Sequence, residues 1–350
     1  MKNFKQSPLF NDVSHGPSEY VANWVVTKDK IRIRVGLWSA KTPIGTVFIC
    51  PGYSEYIEKY GKTAKLFSKH GYSSVSLDWR GHGLADRLTP NPLLGHIETF
   101  SDYLKDFDAI IEWAQNFDLP KPWFVLGHSM GGAILLRNLH ENKHFNAVAF
   151  SCPMWGIKLS PALRIFAHLY GNLARILKID ENFAPTRSEK GYLDGSFDKN
   201  ALTKDEDMWH YLLGQVTKYP SLKLGGPSVR WVNSALKETF QLSKLPSPKI
   251  PCITFLAEDE RLVDSARIYN RMNVWPNGIL HFMHSARHEI LMEDIHGFTF
   301  KYNFSINESY PNSINDNNTF QVVINNLIPN TRYMVEMRSY TIIGPGVFSD

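Results

Sequence analysis

Only three cysteines occur in 350 residues, too few and too widely spaced to staple a fold. Cys50, Cys152 and Cys252 each lie in or just after an apolar run, which reads as core thiols in a reducing compartment. No apolar run approaches 18 residues, so no helix is expected to span a bilayer. The first 20 residues, MKNFKQSPLFNDVSHGPSEY, hold no apolar h-region, and no secretory signal is expected. These absences point to a cytoplasmic protein. Charge of one sign is scarce as well: a net +4 is too small to imply nucleic-acid binding. The 23 glycines and 20 prolines follow no period, which excludes a fibrous chain. What remains is 43% apolar and 21% charged, ample for a buried core and unlike a disordered chain. The length suits two domains or one large one.

N-x-S/T sequons are also missing, but only from the first 300 residues; three follow, at Asn303, Asn307 and Asn317. The last 50 residues hold 9 of the 24 asparagines and carry −1, against +5 for the rest. This seam divides the chain into 1–299 and 300–350.

Residues 1–300 alternate strands and helices. Ile31–Trp38 alternates like a half-buried strand. Thr46–Cys50, Ser73–Trp79, Trp123–Leu126, Ala147–Ser151, Cys252–Leu256 and Ile279–Met283 read as further strands. Helices are predicted over 58–70, Thr99–Gln115, Gly131–His140 and near 263–272. The alternation argues for a parallel sheet covered on both faces. Between about 155 and 246 it stops, and a Leu-, Trp- and Tyr-rich helical stretch takes over. An insertion of that length suggests a cap over an active site.

Gly127-His128-Ser129-Met130-Gly131 is a G-x-S-x-G pentapeptide, weak by itself because three fixed positions recur by chance. Its flanks make it specific, with WFVL before it and GGAILLRNLH after it. Ser129 thus falls in a strand-to-helix turn, as a nucleophile elbow requires. Gly127 and Gly131 let backbone approach a strained serine. The following helix aims its first N–H groups at developing negative charge. The bland alternative is a Gly-rich turn with a solvated serine.

A serine nucleophile needs a base, and the base an orienting carboxylate, in the order Ser, acid, His. His288 follows the last strand in a short loop, HSARHE, and is the candidate base; His284 is the alternative. The acid should follow Cys252–Leu256, where Glu258, Asp259, Glu260 and Asp264 leave the choice open. The Met130 N–H and a donor from the loop after TVFIC, with Tyr53 favoured, should form the oxyanion hole. Arg80, after the next strand, either braces the loops through an ion pair or stands exposed. This chemistry calls for no cofactor and no metal.

Taken together, PGYSEY, LDWRGHGLADR, LGHSMGG, AEDERLVD and ARHEILME resemble the α/β-hydrolase superfamily over about residues 10–295. They are most similar to its bacterial lysophospholipase and monoacylglycerol lipase branch, the serine aminopeptidase-like hydrolases. The cap segments FDKNALTKDE and LGGPSVRWVNSALK resemble the lysophospholipases in particular. The resemblance implies an α/β-hydrolase fold with a helical cap. It implies Ser129 as nucleophile, His288 as base and a lipid ester as substrate. The family's acid motif, D-x-x-V/C-D, matches Glu260-Arg261-Leu262-Val263-Asp264, so Glu260 takes the acid role; Asp259 is the alternative. A short-chain carboxylesterase or peptidase would use the same triad, and a disabled fusion would be a binding protein.

Ser160-Pro161 reads as an N-cap with proline at the first helical position. Ala162, Phe166, Leu169, Leu173 and Leu177 follow at helical spacing, with Arg164, Arg175 and Lys178 among the polar positions. The helix either lies on an anionic membrane surface or packs as an ordinary cap helix. Residues Thr319–Ser349 resemble the second half of a fibronectin type III domain, through Asn326, Leu327, Pro329, Thr331, Tyr333, Gly344 and Gly346. Half a sandwich cannot close its core, so a truncated or fused, poorly ordered tail is expected.

Overall fold

The computed structural model describes residues 4–141 and 143–293. Beyond them it describes two antiparallel pairs of two-residue strands, Val323–Ile324 with Tyr333–Met334 and Met337–Arg338 with Thr341–Ile342. The fibronectin-like sandwich and the order of the tail otherwise lie outside the described residues.

Apolar runs between turn signals become the strands of one sheet. In chain order these are β1 (Lys5–Gln6), β2 (Tyr20–Val26), β3 (Arg32–Trp38), β4 (Gly45–Cys50), β5 (Tyr72–Asp78), β6 (Trp123–His128), β7 (Ala147–Ser151), β8 (Cys252–Ala257) and β9 (Gly278–Met283). Their spatial order is β1-β2-β3-β5-β4-β6-β7-β8-β9. The first three pairings are antiparallel, and every pairing from β5 to β9 is parallel. The order reverses at β4, which has β5 on one side and β6 on the other. Loops leaving β4 and β6 therefore diverge and open a crevice at the carboxyl ends of the strands, where open α/β sheets place their sites.

All six residues of β4 are buried, which is why it reads as a continuous apolar run rather than an alternating one. The helices are α1 (Asn11–Ser14), α2 (Gly61–Lys69), α3 (Asp102–Asn116), α4 (Ser129–Glu141), α5 (Pro161–Ile176), α6 (Glu206–Lys218), α7 (Val229–Leu242) and α8 (Ser265–Met272). In α3, Tyr103, Phe107, Ile110, Ile111, Trp113 and Ala114 recur at helical spacing and are all buried.

The structure corrects three sequence expectations. β3 is not half-buried: six of its seven residues are enclosed, because β2 and β5 flank it and helices cover it. Its alternating Arg34 is fully buried, held by Asp78 (2.7 Å) and by both oxygens of Glu58 (2.7 and 2.6 Å). The helix expected over 58–70 begins as a 3-10 turn, Ile57–Tyr60, before α2. The segment between β7 and β8 is helical only in part: it holds α5, α6 and α7, but residues 177–205 between α5 and α6 carry just two short 3-10 turns. Arg80 is a brace rather than an exposed side chain. It pairs with Asp106 (2.9 and 2.8 Å) on α3 and with Asp29 (2.7 and 3.0 Å) between β2 and β3.

Candidate active site

Ser129 sits where β6 ends and α4 begins, with φ at +47°. That left-handed conformation is strained for a residue carrying a Cβ and turns the hydroxyl out of the bend. A Cβ at Gly131 would meet Cys50 O at 2.2 Å and Pro51 O at 2.6 Å, so glycine is what lets α4 start this close to the end of β4.

The Ser129 hydroxyl donates to His288 Nε2 at 2.9 Å, and the imidazole Nδ1–H donates to Glu260 Oε2 at 2.7 Å. Glu260 Oε1 accepts the N–H groups of Leu262 (2.7 Å) and Val263 (3.0 Å). Burial opposes ionisation of Glu260. The charge of His288 and these hydrogen bonds outweigh it and hold the carboxyl at a pKa of about 2. Three residues from three loops thus form one hydrogen-bonded row. Asp259 is not in it: its carboxylate turns outward onto Arg261 (2.8 and 2.6 Å) and Arg287 (3.4 Å). Nor is His284, an exposed side chain 3.5 Å from the equally exposed Glu258.

The turn after β4 borders the same cavity, which is lined by Tyr53, Ser129 and His288 and holds about 500 Å3. The Gly52 N–H is consumed by the Glu55 carboxylate. Neither the Tyr53 nor the Met130 N–H has a protein acceptor among the described residues. Met130 lies in the first turn of α4, where no intrahelical acceptor exists. Tyr53 is fixed by its hydroxyl, which donates to Gly225 O at 3.0 Å, and by edge contact with Trp231 at 4.7 Å.

Sequence reasoning missed a buried charge cluster under the row. Lys59 Nζ donates to both Glu55 and Glu289, and the Tyr60 hydroxyl also donates to Glu55. His128 donates from Nδ1 to Ser151 O at 3.1 Å and brings Nε2 to 3.2 Å from Glu289. Burial would strip His128 of its proton, but the carboxylates of Glu289 and Glu55 raise its pKa instead. Burial likewise disfavours the Lys59 ammonium, and the same two carboxylates hold it charged. The cluster ties together the turn after β4, the residue before Ser129 and the residue after His288. Its only sequence signal is adjacency: His128 and Glu289 flank the two motif residues, but nothing in the pattern points to Lys59.

Two groups of buried donors come within metal-binding spacing, Cys152–Glu260–His288 and Glu55–His128–Glu289. In the first, Glu260 and His288 are spent on each other. In the second, the Lys59 ammonium already bridges the two carboxylates. The cavity wall also carries a set of apolar side chains, Leu193, Leu202, Leu212, Leu213 and Val216. No described helix is long and apolar enough to cross a membrane.

Residues 41–295 match the family described as serine aminopeptidase, S33. Lysophospholipase L2 of Escherichia coli is 31% identical over 286 residues, 76% of this chain and 80% of that protein. A probable lysophospholipase L2 of Haemophilus influenzae is 30% identical over 244 residues, 69% of this chain and 76% of that one. Among solved structures, a monoglyceride lipase of Saccharomyces cerevisiae superposes with a TM-score of 0.58 at 20% identity, over 75% of this chain and 86% of that chain. With its mostly parallel sheet, flanking helices and serine at the β6–α4 elbow, the chain belongs to the serine aminopeptidase, S33, family and is a serine hydrolase of the α/β-hydrolase fold.

Proposed function

We propose that this hydrolase cleaves carboxylic esters of single-chain lipids, lysophospholipids or monoacylglycerols, through an acyl-enzyme on Ser129. The observation that carries the reading is the Ser129–His288–Glu260 row opening onto a cavity with an apolar wall. Ser129 Oγ attacks the ester carbonyl as His288 Nε2 takes its proton. Glu260 fixes the imidazole tautomer and stabilises the imidazolium. The tetrahedral oxyanion rests on the N–H groups of Tyr53 and Met130. The alcohol leaves with the proton from His288, and water, deprotonated by the same imidazole, releases the fatty acid. Residues 1–299 form the hydrolase domain in this reading, with about 155–246 as its cap.

The cap also supplies a surface for lipid. Ser160 caps α5, accepting from Leu163 N at 3.3 Å. Leu163, Ile165, Phe166, Leu169, Leu173 and Ile176 of α5 are all exposed, and Ile176 is 77% so. An exposed apolar row of that length fits peripheral contact with a lipid surface. The expected basic attraction is weaker than the sequence suggests. Arg164 donates to Ile157 O (2.8 Å), and Arg175 pairs with Glu98 (2.7 Å). Lys178 alone of the three has no side-chain partner among the described residues.

The peptidase reading is disfavoured by charge. The carboxylates on the cavity wall, the groups that would best receive a peptide N-terminus, each already hold a cation. A substrate panel of lysophosphatidylcholine, monoacylglycerol, p-nitrophenyl butyrate and a prolyl-peptide amide tests the assignment. The lipids should give the highest kcat/KM. Preferential turnover of the amide would overturn it. Phe166→Glu with Leu169→Glu should lower vesicle co-sedimentation while leaving p-nitrophenyl butyrate turnover intact; unchanged co-sedimentation would remove the surface contact.

A further inference from the structure

We propose that Arg187 binds a phosphodiester and makes the cavity select lysophospholipids over neutral monoacylglycerols. This rests on the cavity being the lipid-ester site. The argument begins with the charges on its wall. Three carboxylates line it, Glu55, Asp194 and Glu289. Glu55 and Glu289 clasp Lys59, and Asp194 takes Lys223 Nζ at 2.6 Å. Two further lining cations are engaged: Lys158 Nζ donates to Glu260 O at 2.8 Å, and Arg261 forks onto Asp259. Among the described residues of this wall, only the Arg187 guanidinium has neither a hydrogen bond nor an ion pair.

The position of Arg187 is fixed by its backbone. Its N–H donates to Ala184 O (2.9 Å), the Ala184 N–H donates to Pro227 O (2.9 Å), and Gly226 N–H donates to Ser188 O (2.8 Å). A Cβ on Gly226 would come within 2.7 Å of Arg187 Cβ, so that glycine lets the two segments lie against each other. The adjoining Gly225 O accepts the Tyr53 hydroxyl, which links Arg187 to the turn beside Ser129. Arg187 is an exposed residue of the cavity lining, so its guanidinium is accessible to a ligand entering from solvent.

A guanidinium offers a planar pair of donors that match two phosphate oxygens. A lysophospholipid whose ester carbonyl lies at Ser129 and whose acyl chain lies on the apolar wall places its phosphodiester within the same cavity. A monoacylglycerol presents only a neutral hydroxyl there.

The test compares lysophosphatidylcholine and monoacylglycerol of one acyl chain, below their aggregation limits, on full-length wild type, Arg187→Gln and Arg187→Lys. The ratio of kcat/KM for lysophosphatidylcholine over monoacylglycerol should fall about 10- to 100-fold in Arg187→Gln, mainly through KM, the range of charge-assisted hydrogen bonds. Arg187→Lys should recover part of it. Glycerophosphocholine should inhibit wild-type monoacylglycerol turnover competitively, and Arg187→Gln about ten-fold less well. An unchanged ratio overturns the proposal, including the case where both substrates lose equally. Wild type that cleaves monoacylglycerol and not lysophosphatidylcholine overturns it while leaving the ester hydrolase standing. Wild type that cleaves neither removes the lipid-ester reading and this proposal together.

Discussion

The carboxylate of Glu289, one residue past His288, closes on the ammonium of Lys59 at the cavity wall. Lys59 in turn holds Glu55, which takes the Gly52 N–H and shapes the turn carrying Tyr53. Removing the ammonium leaves two buried carboxylates facing one histidine. Lys59→Met should lower kcat about 100-fold with a smaller change in KM, because loops displaced by an ångström cost that much in rate. It should also lose about 3–5 kcal/mol of stability, the scale for an orphaned buried charge. Steady-state kinetics and urea unfolding read the two effects; wild-type kcat would show that the cluster does not position the loops.

Glu260 and Asp259 are neighbours with opposite fates. Glu260→Gln should lose roughly 10⁴-fold in kcat, because an amide cannot hold the imidazole in the required tautomer. Asp259→Asn should stay within a few-fold of wild type, since its carboxylate pairs with the exposed Arg261 and the half-buried Arg287 and not with His288. The reverse pattern would move the acid role one residue earlier.

The low pKa of Glu260 sets a pH dependence of stability. Folding favours its ionised form, so the stabilisation is present above the ordinary glutamate value and is lost as pH falls toward about 2. On the order of 3 kcal/mol is involved. The stability margin of wild type over Glu260→Gln should narrow steadily from pH 5 to pH 3 in chemical denaturation. A margin independent of pH would show that the charge is not held.

Arg34 is a stability residue away from the site. It alone neutralises Asp78 and Glu58 at 0% side-chain exposure among the described ion pairs. Arg34→Met should cost about 3–5 kcal/mol, and Arg34→Met with Glu58→Gln and Asp78→Asn should recover much of it. Equal losses in the single and triple variants would indicate a packing role instead.

Legibility followed locality. Ser129, its strand and its helix are contiguous, so flanks and glycines specify them together. His288 could be placed because it follows the last strand of the sheet. The acid could not be fixed from four nearby carboxylates: which of them turns inward depends on the bend that brings Leu262 and Val263 N–H onto Glu260. β2 carries no motif that marks it as a strand. Arg34 and Lys59 are charged residues whose partners come from distant segments, and no periodicity encodes such a pairing. Composition predicts helix across 155–246 and does not mark the irregular stretch 177–205, which supplies Arg187 and Tyr192 to the cavity.

Locating the adduct of a fluorophosphonate on the full-length chain, by intact mass and peptide mapping, tests the nucleophile most directly. One equivalent should add, at Ser129; Ser129→Ala should take up none, and His288→Ala should react about 10³-fold more slowly. An adduct on another residue, or ester turnover by Ser129→Ala close to wild type, would contradict the assignment.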